Sequence, residues 1–330
     1  MKPSPIAICL LLAVAGAHAG DAAPDSDAAR VRVRIAPGQP VAIAVQPDAQ
    51  REPAPPAEPH RAGKRSIDMS RAVDSAALHL RSASVLVIDQ DSGRAVVARN
   101  PDAVTPIASI TKLMTAMVVL DSGAPLDHVV TISAADFDML KGTHSRLQAG
   151  VGLNRRELLH LALMSSENRA AAALARAHPA GFAEFVTAMN HKAAALGMQR
   201  THFVDSTGLS SENVSTAADL AKMVMAAYAY PLIREFTTAT SHDVEPLGTS
   251  RTIAYRNSNS LVKSPQWEIG LSKTGYISEA GRCLVMQARL LARPFIIVLL
   301  DSVGKQTRIG DANRIKRWIE SRHQAGKPVG

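Results

Sequence analysis

Strand patterns at both ends of the chain enclose a long stretch of helical patterns. Short β-branched runs at Ser82–Asp89 and Arg94–Arg99, separated by a Gly-containing turn, predict a hairpin. The further expected elements are helices over 107–120, 155–164, 170–177, 181–196 and 217–228, strands over 252–256, 267–273, 283–290 and 294–300, and a closing helix over 307–321. Strands from both ends of a domain most simply form one sheet. We therefore predict an α/β (α+β) fold whose central, mainly antiparallel sheet is covered by a helical block.

The first nineteen residues have the organisation of a secretory signal peptide. Lys2 supplies a positive start, 6–15 is an apolar run, and small residues flank His18 before a cleavage point. Ten apolar residues are too few for a membrane-spanning helix, which needs roughly 20. We therefore expect an exported, periplasmic protein without an integral membrane anchor. The expected organisation is a signal peptide over 1–19, a Pro/Ala-rich disordered linker over 20–66, a catalytic domain over 67–323 and a flexible tail over 324–330.

Composition narrows the classes of function. The net charge of +8 favours anionic surroundings such as cell-wall polymer, but no Lys/Arg cluster interleaved with aromatic residues indicates a nucleic-acid partner. The sequence contains neither H-E-x-x-H nor C-x-x-C, so we predict no metal ion and no other cofactor. It also lacks the G-x-S-x-G turn of Ser-His-Asp hydrolases of the α/β class. Cys283 lies in an apolar run and is expected in the core.

A serine and a lysine begin the first predicted helix. Apolar residues from Ile110 onward recur at helical spacing, and Ser109 and Lys112 stand three residues apart. Side chains at i and i+3 are neighbours on a helix, so the hydroxyl and the amine can meet. A serine beside a buried lysine is a nucleophile beside a potential base. S-x-x-K is a weak pattern by itself, since it also occurs at Ser260 and at Ser302.

Two later motifs, in chain order, strengthen that interpretation. Ser166 and Asn168 lie on a short predicted connection between helices, and Lys273-Thr274-Gly275 closes a predicted strand. The order S-x-x-K, S-x-N, K-T-G is typical of serine β-lactamases and penicillin-binding proteins. A second Ser-Ser-Glu-Asn string occurs at 210–213, but it reads as a loop before a helix cap. The first copy is therefore preferred.

At these residues the chain resembles the low-molecular-mass penicillin-binding proteins of the D-alanyl-D-alanine carboxypeptidase group (serine peptidase family S11). The resemblance extends over about 82–300 and is closest to the D-alanyl-D-alanine endopeptidase branch; it is carried by the segments 107–115, 163–171, 205–209 and 272–281. It implies a β-lactamase/transpeptidase-like fold. It also implies that peptidoglycan peptide stems and β-lactams bind to this chain, and it makes other cell-wall enzymes candidate partners.

The resemblance also assigns roles to residues. Ser109 attacks the D-alanyl carbonyl, and Lys112 accepts its proton, which requires that burial and a second ammonium at Lys273 lower a pKa ordinarily near 10.4. Ser166 relays the proton to the leaving amine. Asn168 binds the peptide carbonyl of the substrate, and Lys273, Thr274 and Gly275 bind its carboxylate. The backbone N–H groups of Ser109 and Tyr276 form the oxyanion hole.

The predicted function is hydrolysis of D-alanyl-diaminopimelate crosslinks in peptidoglycan through an acyl-enzyme on Ser109. A D-alanyl-D-alanine carboxypeptidase that trims pentapeptide stems would use the same residues, and only room for the leaving group distinguishes the two. A β-lactamase is disfavoured because no Glu-x-x-x-Asn lies between Asn168 and Lys273. A penicillin-binding sensor without turnover is disfavoured because all three motifs are intact.

Overall fold

The computed structural model describes residues 67–70, 72–74 and 78–325. The predicted signal peptide and linker lie outside the described residues, as do 326–330 of the predicted tail. The last helix ends at Gln324, one residue beyond the predicted end of the catalytic domain. None of the helices within the described part of the chain combines the length and the apolar character that crossing a membrane demands.

The main sheet of the described chain has six strands drawn from both ends of the domain. The strands are β1 (Val73–Asp74), β2 (Ser82–Asp89), β3 (Arg94–Arg99), β10 (Glu268–Ile277), β11 (Gly281–Leu290) and β12 (Arg293–Ser302), in the spatial order β1-β3-β2-β12-β11-β10. Only the short β1–β3 pair is parallel; all other pairs are antiparallel. The predicted mainly antiparallel sheet is therefore confirmed.

Helices cover one face of this sheet, and a single helix covers the other. The helices are α1 (Lys112–Asp121), α2 (Arg155–Met164), α3 (Asn168–Arg176), α4 (Gly181–Ala195), α5 (Ala217–Tyr228), α6 (Pro231–Thr238) and α7 (Thr307–Gln324). Three two-stranded pairs complete the described strands: β4 (Thr105–Pro106) with β7 (Val214–Ser215), β5 (Val129–Thr131) with β6 (Gly152–Asn154), and β8 (Ser241–Val244) with β9 (Ile253–Arg256). Helix α6 was not predicted from the sequence, although Pro231 at its first position is a typical helix start.

Strand alternation divides the apolar residues between two cores. On β12, Ile296 and Val298 pack with the helical block, whereas Ile297 and Leu299 pack beneath α7. Successive side chains of a strand point to opposite faces, so a strand covered on both faces has a continuous apolar sequence. This explains why β2 and β12 contain almost no polar positions between their ends.

Two predicted element boundaries near the motif residues were wrong. Ser109 does not lie in the first turn of α1 but in a 3-10 helix over Ala108–Thr111, because Ala108 has a left-handed φ of 48° that an α-helix cannot include. Lys273-Thr274-Gly275 does not end a strand but lies inside β10, which stays paired with β11 as far as Ile277. The turn to β11 follows only at 278–280.

Candidate active site

Lys112 is fully buried and its ammonium contacts three acceptors. Its Nζ lies 2.8 Å from Ser109 Oγ, 2.7 Å from Asn168 Oδ1 and 2.6 Å from the carbonyl oxygen of Thr207. An ammonium has three donors, and here all three are used. The structure therefore brings together the serine, the lysine and the asparagine that the motifs predicted, and it adds a backbone carbonyl that they did not.

Burial lowers the pKa of Lys112 to about 7, although the carboxylates of Asp205, Glu167 and Asp138 act in the opposite direction. Burial disfavours the charged form because the ammonium loses its hydration. At pH 7 roughly half of the Lys112 side chains are then neutral and able to accept a proton. Part of this shift was predicted to come from Lys273, whereas the dominant cause for Lys112 is burial.

Lys273 forms the second half of the site with Ser166. Its Nζ donates to Ser166 Oγ at 2.8 Å and to the carbonyl of Thr274 at 2.9 Å. Burial, and then the charges of Lys112 and Arg308, hold the pKa of Lys273 well below its ordinary value. An arriving carboxylate reverses that effect, since an opposite charge within about 4–6 Å favours the ammonium form. The lysine is thus suited to bind an anionic group.

Strained backbone positions the hydroxyl of Ser166. Its φ is 65°, in the left-handed region that residues other than glycine seldom occupy. The connection between α2 and α3 is only three residues long, 165–167, and the Glu167 side chain caps α3 by accepting the N–H of Arg169. Strain of this kind, about 1–3 kcal/mol per residue, persists where the surrounding structure imposes it and is frequent at functional sites.

Gly275 lets β10 approach the nucleophile closely. A Cβ at this position would lie 2.9 Å from the carbonyl oxygen of Ile107 and 3.1 Å from the backbone nitrogen of Ser109. From the opposite side of the sheet, Arg308 of α7 donates to the Gly275 carbonyl at 3.0 Å. Next to it, Thr274 donates its hydroxyl to Ser258 at 2.8 Å. The backbone of 275–276 is thereby held against the 3-10 helix, as the predicted oxyanion hole of Ser109 and Tyr276 requires.

The loop 205–208 supplies the carbonyl that completes the Lys112 site. Asp205 Oδ1 accepts the N–H groups of Thr207 and Gly208 at 2.5 and 2.7 Å, which folds the loop tightly. A Cβ on Gly208 would lie 1.9 Å from the carbonyl oxygen of Ala108, so only glycine permits this approach. The sequence analysis noted this loop only as part of the family resemblance. The Asp-x-x-Gly pattern indicates a tight turn at this loop. The contact between Lys112 and the Thr207 carbonyl joins residues 95 positions apart, so no local sequence pattern indicates it.

The second Ser-Ser-Glu-Asn string has a structural role. Asn213 is fully buried; its amide donates to Thr111 Oγ1 at 3.1 Å and to the Asp205 carbonyl at 2.9 Å. It thus joins the 205–208 loop to the 3-10 helix of the nucleophile. The serines of the other two S-x-x-K strings lie outside the site. Ser302 shares a buried hydrogen bond with Ser82, and Ser260 is exposed at the start of a 3-10 helix.

A segment over 138–143, which we call the bridging segment, joins the two walls of the site. On the helical side, Asn168 Nδ2 donates to Thr143 Oγ1 at 3.0 Å. On the strand side, Lys141 Nζ lies 2.5 Å from Glu279, in the turn after β10. In the same segment, before these contacts, Met139 is 88% exposed. No residue of the bridging segment was predicted, because the segment has no regular pattern that would place it beside Asn168.

Other candidate chemistry is not supported at this site. Within the ranges that the structure describes, no group of three His, Cys, Asp or Glu side chains is arranged to hold a metal ion. Cys283 is buried as expected, and burial raises its pKa to about 11, so the thiol is a core residue with little thiolate character.

Separate Ser166→Ala and Ser211→Ala variants distinguish the two Ser-Glu-Asn strings. We expect Ser166→Ala to lose on the order of 10² or more in turnover, the range typical of a positioned proton carrier, because Lys273 then has no hydroxyl to relay through. Ser211 is only partly buried, and its replacement should leave turnover within about twofold. Steady-state hydrolysis of a D-alanyl-D-alanine peptide measures both. The opposite order of effects would place the active-site loop at 211.

The chain is similar to known proteins over most of its length. Residues 70–304 match the peptidase family described as D-alanyl-D-alanine carboxypeptidase. Over 242 residues the chain is 49% identical to a D-alanyl-D-alanine endopeptidase of Pseudomonas aeruginosa and 44% identical to one of Escherichia coli, in each case covering 73% of this chain and 78% of the relative. Among solved structures, a DD-transpeptidase of Streptomyces superposes with a TM-score of 0.68 at 28% identity, covering 72% of this chain and 97% of that one.

Proposed function

The chain belongs to the D-alanyl-D-alanine carboxypeptidase family of serine peptidases, and on this basis we propose that it hydrolyses D-alanyl-diaminopimelate crosslinks of peptidoglycan in the periplasm. The proposal rests on two hydrogen bonds, one between Ser109 and Lys112 and one between Lys273 and Ser166. Asn168 contacts Lys112, and Gly275 lies against the backbone of Ser109. A nucleophile with its base and a second hydroxyl with a cation are the groups that acyl transfer needs.

Acylation begins when neutral Lys112 takes the proton of Ser109. The Oγ atom attacks the carbonyl carbon of the D-alanyl residue, and the backbone N–H groups of Ser109 and Tyr276 stabilise the resulting oxyanion. As the C–N bond breaks, Ser166 donates its proton to the leaving amine and regains one from the lysine pair. Water then attacks the ester carbonyl while Lys112 takes its proton, and the bond from that carbon to Ser109 Oγ breaks as Oγ regains the proton from Lys112.

The substrate carboxylate is bound on the other side of the scissile bond. Lys273 supplies charge there, and Thr274, whose hydroxyl is already oriented by Ser258, supplies a hydrogen bond. Asn168 binds the peptide carbonyl of the substrate through the amide that now contacts Thr143. β-Lactams present the same carbonyl and carboxylate, so we expect them to acylate Ser109 as well.

The choice of crosslink cleavage over terminal trimming rests on the relatives. The two that share 49% and 44% of their residues with this chain over 242 positions are named D-alanyl-D-alanine endopeptidases. A carboxypeptidase releases D-alanine alone, whereas an endopeptidase releases an amine that bears a whole peptide. Lys273 and Thr274 serve both reactions, because both leaving groups carry a carboxylate beside the amine.

Digestion of two substrates by one preparation of residues 20–330 tests the function. We expect crosslinked dimeric muropeptides to be converted to monomers with a higher kcat/KM than pentapeptide monomers are trimmed to tetrapeptides. Chromatography of both digests measures the two rates. If pentapeptides were trimmed while the dimers stayed intact, the chain would be a carboxypeptidase. The acyl-enzyme mechanism would then be retained and the crosslink specificity refuted.

A further inference from the structure

A continuous groove adjoins the active site on one side. It consists of two cavities of about 480 and 410 Å³ that share Ser145, Arg146 and Ala254 among their lining residues. The segment 144–151 forms one wall, and β9 with the turn before it forms the other. Together the two cavities are large enough for several residues of an extended peptide.

The groove begins at the carboxylate end of the site. Its lining includes Ser165 and Glu167, the two neighbours of Ser166. It also includes Arg256, two residues before the Ser258 that accepts the hydroxyl of Thr274. The proposed function places the carboxylate of the leaving group at Thr274. A leaving group that extends beyond that carboxylate therefore has the groove directly in front of it.

The charge of the groove is positive. Three arginines, Arg146, Arg251 and Arg256, line it, against one carboxylate, Glu167. Glu167 is 9% exposed and caps α3, so this one carboxylate offsets only part of the positive charge. Within the described residues, none of the three arginines takes part in an ion pair. Three cations without a carboxylate partner in one groove attract an anionic ligand.

The three arginines differ in how firmly they are held. Arg146 donates to the carbonyl of Ala254 at 2.6 Å and lies 4.0 Å from the centre of the Tyr255 ring, so it also supports the hairpin. Arg251 and Arg256 are exposed, and their side chains are available to a ligand. Arginine binds a carboxylate through two parallel hydrogen bonds, which adds orientation to charge.

We propose that this groove is the subsite for the leaving-group stem of the crosslink, and that Arg251 and Arg256 bind carboxylates of that peptide. The inference rests on the proposed function, because only a crosslinked substrate has a peptide on the leaving side. It assigns to these arginines the preference for a peptide-bearing amine over free D-alanine, a distinction that the catalytic residues cannot make. The ligand is an anionic peptide, and neither arginine takes part in the chemical step.

Arg251→Gln, Arg256→Gln and the double variant test the subsite. Glutamine keeps most of the length and polarity of arginine and removes the charge. The matched control is Arg317→Gln, which removes one exposed positive charge from α7, on the opposite face of the sheet. The substrates are a crosslinked tetrapeptide dimer and a pentapeptide monomer, and acylation by a fluorescent penicillin reports the chemistry alone.

We expect each single variant to raise KM for the dimer about 3- to 10-fold, the range for a charge-assisted contact partly open to solvent, with kcat changed less. Pentapeptide trimming, penicillin acylation and the Arg317→Gln control should stay within about twofold of the wild type. Raising the salt concentration should increase KM of the wild type for the dimer, because salt screens the attraction between the arginines and the peptide carboxylates. The double variant lacks that attraction, so its KM should change less.

The outcomes separate this inference from the proposed function. Unchanged dimer KM in the double variant, or equal losses on dimer and pentapeptide, would overturn the subsite while the wild type still cleaves dimers. A wild type that trims pentapeptides but leaves dimers intact would refute the proposed function, and the subsite with it, because no stem would then cross the groove.

Discussion

Ser109→Ala should abolish covalent labelling by a fluorescent penicillin and lower peptide hydrolysis by on the order of 10⁴ to 10⁶, because no other atom of the site can form the ester. The variant should still fold. Its Lys112 keeps the acceptors at Asn168 and Thr207, 2.7 and 2.6 Å away, so the buried ammonium loses only one of its three partners. Gel fluorescence and single-turnover hydrolysis measure the two effects.

Ser260→Ala is the matched control, since Ser260 begins another S-x-x-K string and is exposed. It should label and turn over like the wild type. Ser302 is less suitable as a control because its hydroxyl is buried against Ser82 and its loss would reduce stability. Full labelling of the Ser109→Ala variant, or a labelled peptide that maps to Ser260 or Ser302, would show that Ser109 is not the nucleophile.

Lys112→Arg should lose nearly as much acylation as Ser109→Ala, because a guanidinium stays protonated at every pH that the protein tolerates and cannot become the base. The native lysine can, since burial lowers its pKa to about 7. The rate of acylation of the wild type should therefore rise with pH through about 7: below that value Lys112 is mostly an ammonium, and above it mostly a neutral amine. Stopped-flow acylation by a β-lactam between pH 5.5 and 8.5 measures the profile.

The Lys112→Arg variant needs a check on folding, because its larger side chain enters a fully buried site. Thermal melting of both proteins, together with the exposed Lys305→Arg as a substitution of the same kind, provides that check. If a folded Lys112→Arg variant acylated at close to the wild-type rate, Lys112 would be a structural residue. A wild-type rate independent of pH across this range would show that some other group accepts the proton.

Much of the architecture was predictable because its signals are local. The alternating and helical patterns placed β2, β3, α2 and α5 at the boundaries that the structure has. Periodicity depends only on neighbours in the chain, which is why it survives without tertiary information. The error at Ser109 arose where a local rule was broken, because Ala108 has a positive φ and nothing in its side chain indicates it.

The sequence by itself determined the chemical groups of the candidate site and their order along the chain, since a hydroxyl and an amine three residues apart are neighbours in any helical turn. Only the tertiary structure decided how those groups behave. The Thr207 carbonyl, the bridging segment and the arginine groove all come from segments distant in the chain, as the 95 positions between Lys112 and Thr207 illustrate. A lowered pKa has the same origin: desolvation of Lys112 requires other segments to exclude water from it, and no pattern of its neighbours in sequence specifies which segments those are.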